Sequence, residues 1–362
     1  MEHTPVYKRE KTEGEYNPSN ISEGYHVTTL ERDLHVVSQE VNTVCEHLGL
    51  GMLVDDGCRI HLDAYQGVVN FPEKKLKGDA DYVERKEAEF IWEGALKKMS
   101  QQNGKGIYEK KRTVTEADKE AISYHFYQTY GATTTEEIRA VWHKERAQGL
   151  AEGFEMLITA LFHKAFGKEF ITVRSSAYDD YAHGIDTVII NKKTGELVCA
   201  FDELHEFGGD EQHRERSERR SREKRENIER MNKEGGMTLT YGVTKNERGF
   251  QRKSIQHVPI LCLSLETKEL LDALREFTLD GGLSENEEAL CRSITTTLIK
   301  QAIHMEDVIR SEEERRASEQ GMHLPIEGVP VRQHLQHAGH SLARMLEILD
   351  VQEGVENTIY PI

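Results

Sequence analysis

The stretch Gly184-Ile185-Asp186-Thr187-Val188-Ile189-Ile190-Asn191-Lys192-Lys193-Thr194-Gly195-Glu196-Leu197-Val198-Cys199-Ala200-Phe201-Asp202-Glu203-Leu204 decides the fold. Two apolar, β-branched runs flank the five residues Asn191-Lys192-Lys193-Thr194-Gly195, the pattern of a β-hairpin. Both runs are apolar on either face, so both strands are expected in the middle of a sheet, buried on two sides. Yet the first run begins with Asp186, and the second ends with Asp202 and Glu203.

If Ile190 and Glu196 close the turn, Asp186 sits opposite Ala200 and one diagonal step from Asp202 on the same face. A slipped register pairs Asp186 with Glu203 instead. Either way two carboxylates converge at one end of an apolar hairpin. Like charges buried together are costly unless a cation or hydrogen-bond donors offset them, so the pattern points to a hard divalent ion, magnesium above all. The alternative is that these acids simply mark strand ends at the solvent edge.

At 362 residues the chain can bury a sizeable core. Charged residues make up 31% and the net charge is -17, so nucleic acid would be repelled except at a local basic patch or through a metal. Cys45, Cys58, Cys199, Cys262 and Cys291 are far apart and form no CxxC pair, which speaks against a zinc ribbon or disulfide scaffold and suits a reducing cytoplasm. No run reaches the roughly 18 apolar residues of a membrane span. A soluble, cytoplasmic protein with no membrane association is expected.

Residues 1–23 lack periodicity and are expected to form a flexible arm. Residues 24–130 are expected to be mostly helical: Leu30, Leu34, Val37, Val41, Val44 and Leu48 recur at helical spacing, and Thr115 with Asp118 forms a capping box. Asp55-Asp56-Gly57 marks a small hairpin turn without chemistry. Ile122, Tyr124, Phe126, Tyr127 and Tyr130 are taken as core rather than as a base-stacking surface. Residues 131–280 read as the α/β unit: a helical region to about Phe166, a strand over 170–174, a polar loop over 175–183, the hairpin, a charged helix, and strands over 237–243 and 258–265. Residues 281–362 read as a helical extension suited to oligomer contacts. There His334, His337 and His340 drift around a helix and are expected to be ordinary surface histidines.

Two further features bear on chemistry. Glu155 is the one acid in an otherwise apolar helical run, placed either at a helix rim or toward the hairpin carboxylates. Arg214, Arg216, Arg219, Arg220, Arg222, Lys224 and Arg225 crowd one segment after the hairpin, which suits phosphate binding or a solvated helix with internal ion pairs.

On these residues the region from about 150 to 265 resembles the PD-(D/E)xK nuclease superfamily, the restriction-endonuclease-like fold. Members carry an acid on a helix, an Asp on a strand hairpin, and an acid-x-Lys triplet ending the next strand. The resemblance implies a central mixed sheet flanked by helices, with Glu155, Asp186 and Asp202 as the acids. Leu204 stands where the lysine belongs, and Lys224 on the neighbouring basic helix is the substitute, as in some members. It further implies magnesium or manganese held by Asp186, Asp202 and Glu203, hydrolysis of phosphodiester bonds in DNA, and a grip on flanking phosphates by the six arginines. A nuclease fold that has lost its chemistry and serves as a binding scaffold is the alternative.

Overall fold

A computed structural model describes residues 27–102, 114–147, 149–206, 211–320 and 330–356. The expected arm over 1–23 lies outside these residues. The described chain is mixed α/β, with ten α-helices and a four-stranded mixed sheet. Among the described residues no helix is long and apolar enough to cross a membrane.

The helix α5 (Leu150–Phe166) is apolar almost all round and is accordingly buried. It precedes β1 (Phe170–Arg174), α6 (Ala177–His183), β2 (Thr187–Asn191) and β3 (Leu197–Glu206). The long basic helix α7 (Glu211–Lys233) crosses over to β8 (Ile260–Glu266), which lies parallel to β3 and completes the order β1-β2-β3-β8. A parallel return needs such a crossover, whereas β1-β2 and β2-β3 are antiparallel neighbours. The two hairpin strands therefore occupy the centre of the sheet, as their unbroken hydrophobicity predicts. Between α7 and β8 lie two small two-stranded sheets. β4 (Met237–Leu239) pairs with β7 (Ile255–Val258), and β5 (Val243–Asn246) with β6 (Gly249–Arg252).

The turn closes differently from the simplest expectation. Asn191 donates its backbone N–H to Glu196, its side-chain Oδ1 accepts from the N–H groups of Lys193 and Thr194, and Gly195 takes a left-handed φ of 70°. The register then shifts between Ile189 and Ile190, so that Ile190 pairs with Leu197 while Ile189 pairs with Cys199. Continuing past Thr187↔Phe201, Asp186 falls opposite Asp202, not opposite Ala200 and not opposite Glu203.

Two other expectations are corrected. The supposed loop over 175–183 contains α6, whose start is capped by the Ser176 hydroxyl on the Asp179 N–H and whose end is Gly184 in the left-handed region. The supposed strand over 237–243 breaks at Thr240 and Tyr241, because their N–H groups donate to the Asp179 carboxylate at 2.7 and 3.0 Å.

The N-terminal helices divide between two cores. α1 (Val27–His47) buries Leu30, Leu34, Val37, Val41 and Cys45 in the same cluster as the sheet. α2 (Glu73–Gln102), α3 (Glu116–Tyr130) and α4 (Thr135–Ala147) share a smaller cluster around Ile91, Ala95, Ile122, Phe126 and Ile138. Thr115 and Asp118 form the predicted capping box at the start of α3. The aromatic run on α3 is only partly core: Ile122 and Phe126 are buried, but Tyr124, Tyr127 and Tyr130 are exposed. After β8 come α8 (Thr267–Glu276), α9 (Glu285–Gln320) and α10 (Pro330–Glu356), with Leu290, Ile294, Leu298, Leu335, Leu342 and Leu349 joining the main core. Gln301 of α9 covers the outer edge of β8: its side-chain amide accepts from the Cys262 N–H at 2.8 Å and donates to the Cys262 carbonyl at 2.6 Å.

Candidate active site

The acids gather where β2 begins and β3 runs on without it. The Asp186 carboxylate Oδ2 accepts the Glu203 backbone N–H at 2.8 Å, at the end of the β2-β3 ladder. Both acids are withdrawn from solvent, Asp186 being 8% and Asp202 4% exposed. Their carboxyls are within hydrogen-bonding reach of each other. Burial, then the adjacent Asp202 charge, pushes Asp186 up to about 7. Burial also raises Asp202, against the pull of Lys224.

Lys224 reaches this point from α7. Its Nζ donates to Asp202 Oδ1 at 2.5 Å. Burial works against the ammonium charge, yet Asp202, with Asp186 behind it, raises Lys224 above its ordinary value. Lys224 thus meets Asp202, beside Asp186, from a different element.

Strand alternation separates Glu203 from that pair. Thr187 and Glu203 share the face of Phe201, whose ring lies 6.4 Å from Phe162 of α5, while Asp202 faces α7. Glu203 Oε1 accepts from the Thr187 hydroxyl at 2.7 Å, and Oε2 is buried with no hydrogen-bond partner. Burial first, then the Asp186 and Glu155 charges, holds Glu203 well above the usual carboxylate range.

Glu155 lies on the same side but is already engaged. Its Oε2 accepts from Arg174 Nη2 at 2.7 Å and from Arg59 Nη2 at 3.1 Å. Arg174, the last residue of β1, also donates to Glu152. Arg59 also donates to Asp180 at 3.2 Å and to the Ser175 carbonyl at 3.3 Å. Neither arginine belongs to a motif legible in the sequence. Arg59 follows the Asp55-Asp56-Gly57 turn and is bridged, parallel, to Arg174 at the β1 edge. A basic residue ending the otherwise apolar strand 170–174 was the available signal for Arg174.

Arg219, Arg220, Arg222 and Arg225 are exposed along α7. Arg219 pairs with Glu223 at 3.6 Å and Arg225 donates to Ser264 at 2.9 Å. The side chains of Arg214 and Arg216 lie outside the described residues. His337 and His340 are exposed and His334 is half-buried on α10.

The donor set fits a hard cation in kind. It is all oxygen, its carboxyls are raised above their ordinary range, and it includes the orphaned Glu203 Oε2. As arranged, Asp186 accepts the Glu203 N–H, Asp202 accepts from Lys224, and Glu203 Oε1 accepts from Thr187. Among the described residues no group of three or more His, Cys, Asp or Glu side chains is placed to hold a metal ion. Compared with protein-family models, with curated proteins and with solved structures, the chain matches none.

Proposed function

We propose that this protein is a metal-dependent nuclease hydrolysing phosphodiester bonds of DNA, built on a restriction-endonuclease-like core. The observation that carries this reading is the convergence of Asp186, Asp202 and Lys224 from three separate elements at one buried point. The order of parts supports it: a helix with an acid, a hairpin with an Asp, a strand with the second acid, and a lysine from the neighbouring helix. Asp186 and Asp202 are the ligands for magnesium or manganese, with the unpartnered Glu203 Oε2 in reserve. When bound, the cation supplies a water of lowered pKa and offsets the negative charge that develops on phosphorus.

The chain's own groups do the rest. Lys224 stands on Asp202 and offers a positive charge to the attacked phosphate. Arg219, Arg220, Arg222 and Arg225 line the exposed side of α7, where they meet neighbouring phosphates. Arg59 and Arg174 hold Glu155 in place beside Glu203. The test is cutting of single-stranded, duplex and branched DNA by the purified chain with magnesium or manganese. Turnover no greater than that of Asp186→Asn removes the proposal.

One observation favours a second reading, a binding scaffold with the fold but not the reaction. Lys224 already offsets Asp202, the Glu203 N–H is bonded to Asp186, and two guanidiniums offset Glu155. Calorimetric titration with manganese separates the two, because the scaffold takes up no heat-producing ion at Asp186 and Asp202. In that case the long helices α9 and α10 are the surfaces through which copies or partners assemble.

A further inference from the structure

The helix leading into Asp186 carries a row of aromatic rings that the hydrolytic centre does not use. Tyr178 of α6 lies 5.4 Å from Tyr82 of α2, and Tyr181 lies 5.5 Å from Phe90 of α2. The Tyr82 hydroxyl donates to the Tyr181 carbonyl at 3.3 Å, which ties the two helices together. The inner end of the row is fixed: Tyr178 leans on Tyr241, which packs edge-on against the buried ring of Tyr65. The outer end is open to solvent, with Phe90 45% exposed.

The helix α6 that carries Tyr181 ends beside the acids. Asp180, the neighbour of Tyr181, accepts a hydrogen bond from Arg59 Nη1 at 3.2 Å. Gly184, the cap that ends α6 three residues after Tyr181, lies against Asp202: a Cβ there would stand 3.8 Å from Asp202 Oδ2. On the same face of α2 the Arg85 guanidinium sits 5.6 Å over the Tyr82 ring.

We infer that Phe90 and Tyr181 form a stacking platform for an unpaired nucleobase beside the scissile phosphate, so that the substrate is single-stranded or locally unpaired DNA. This rests on the nuclease reading above. A large apolar ring held half-exposed against a second ring, on helices pinned by a hydrogen bond, suits a flat aromatic ligand. Every base has a π-face and stacking needs no charge, which fits a surface in an acidic protein. A closed duplex keeps its base faces stacked on each other and cannot use such a platform.

The full chain and its Phe90→Ala variant are titrated with a single-stranded DNA carrying 2-aminopurine, with a blunt duplex, and with an RNA strand. Cutting of the two DNAs with manganese is followed separately. Phe90→Ala is expected to weaken single-strand binding about tenfold, to abolish the quenching of 2-aminopurine, and to leave duplex binding and the melting temperature unchanged. Tyr181→Ala is expected to give the same selective loss. Equal single-strand affinity of wild type and Phe90→Ala, or an equal loss on the duplex, overturns the platform even where the wild type cuts DNA. An RNA strand held more tightly than DNA through Phe90 overturns the assignment to DNA. Phe90-dependent single-strand binding with no metal-dependent cutting overturns the nuclease and supports the platform as a binding site.

Discussion

Replacing Asp186 by Asn should make the metal-free protein more stable at alkaline pH. In the wild type this carboxyl is buried beside Asp202, and its pKa rises from 3.8 to about 7. A raised acid binds its proton more tightly in the folded chain, so its stabilising contribution is complete below the unfolded pKa and is lost as pH climbs through the folded one. The shift corresponds to about 4 kcal/mol lost between roughly pH 4 and pH 8, at about 1.36 kcal/mol per unit. Asp202 and Glu203, both raised chiefly by burial, push in the same direction.

Asparagine has the shape of the protonated acid. Its carbonyl oxygen can accept the Glu203 N–H that Oδ2 accepts now, and its amide can donate to Asp202, which carries the charge opposite Lys224. Urea unfolding of both proteins in chelator, from pH 5 to pH 9, should show a falling wild-type stability and a flatter curve for Asp186→Asn. The two should cross below pH 7, with the variant ahead by several kcal/mol at pH 9. Excess manganese should restore the wild type by about 2.7 kcal/mol at a hundred times its dissociation constant and should not help the variant. A variant no more stable than the wild type at pH 9, or a wild-type profile without slope, would refute the buried acid pair.

Lys224→Ala removes the ammonium bonded to Asp202 and should slow cutting about 100-fold, chiefly in kcat, as loss of a charge-stabilising donor does; steady-state kinetics on one oligonucleotide measures it. Arg174→Ala leaves the buried Glu155 and the half-buried Glu152 with one partner fewer, and should cost about 3–5 kcal/mol in urea unfolding. Glu155→Gln should cost less, since it removes a charge rather than stranding one. Gly94→Ala puts a Cβ within 1.9 Å of the Trp142 ring, so the α2–α4 contact must open, at about 1–3 kcal/mol; a thermal melt reads this, and the sheet's hydrogen exchange should stay as it is.

Local patterning made much of the fold legible. β1 lies where the apolar run 170–174 sits, the hairpin strands are central because neither carries a polar face, and Thr115 caps α3 as its spacing with Asp118 requires. α6 was hidden because its residues, Ala-Tyr-Asp-Asp-Tyr-Ala-His, show no apolar stripe. It exists through its Ser176 and Gly184 caps and through Asp179, which gathers the backbone of Thr240 and Tyr241. The α3 tyrosines illustrate the converse: aromatic spacing alone cannot tell which side of a helix finds a partner.

Composition and periodicity by themselves determined that two acids would stand at one end of a buried hairpin, since burial and strand polarity are written in short-range pattern. Which acids face each other was decided by the register shift at Ile189–Ile190, a single-residue displacement that no local preference encodes. Tertiary packing alone brought Lys224 onto Asp202 and Arg59 onto Glu155, across 22 and 96 residues of chain. Those meetings depend on how α7 and the Val54–Ile60 turn dock against the sheet, and docking is fixed by the shape of the whole core.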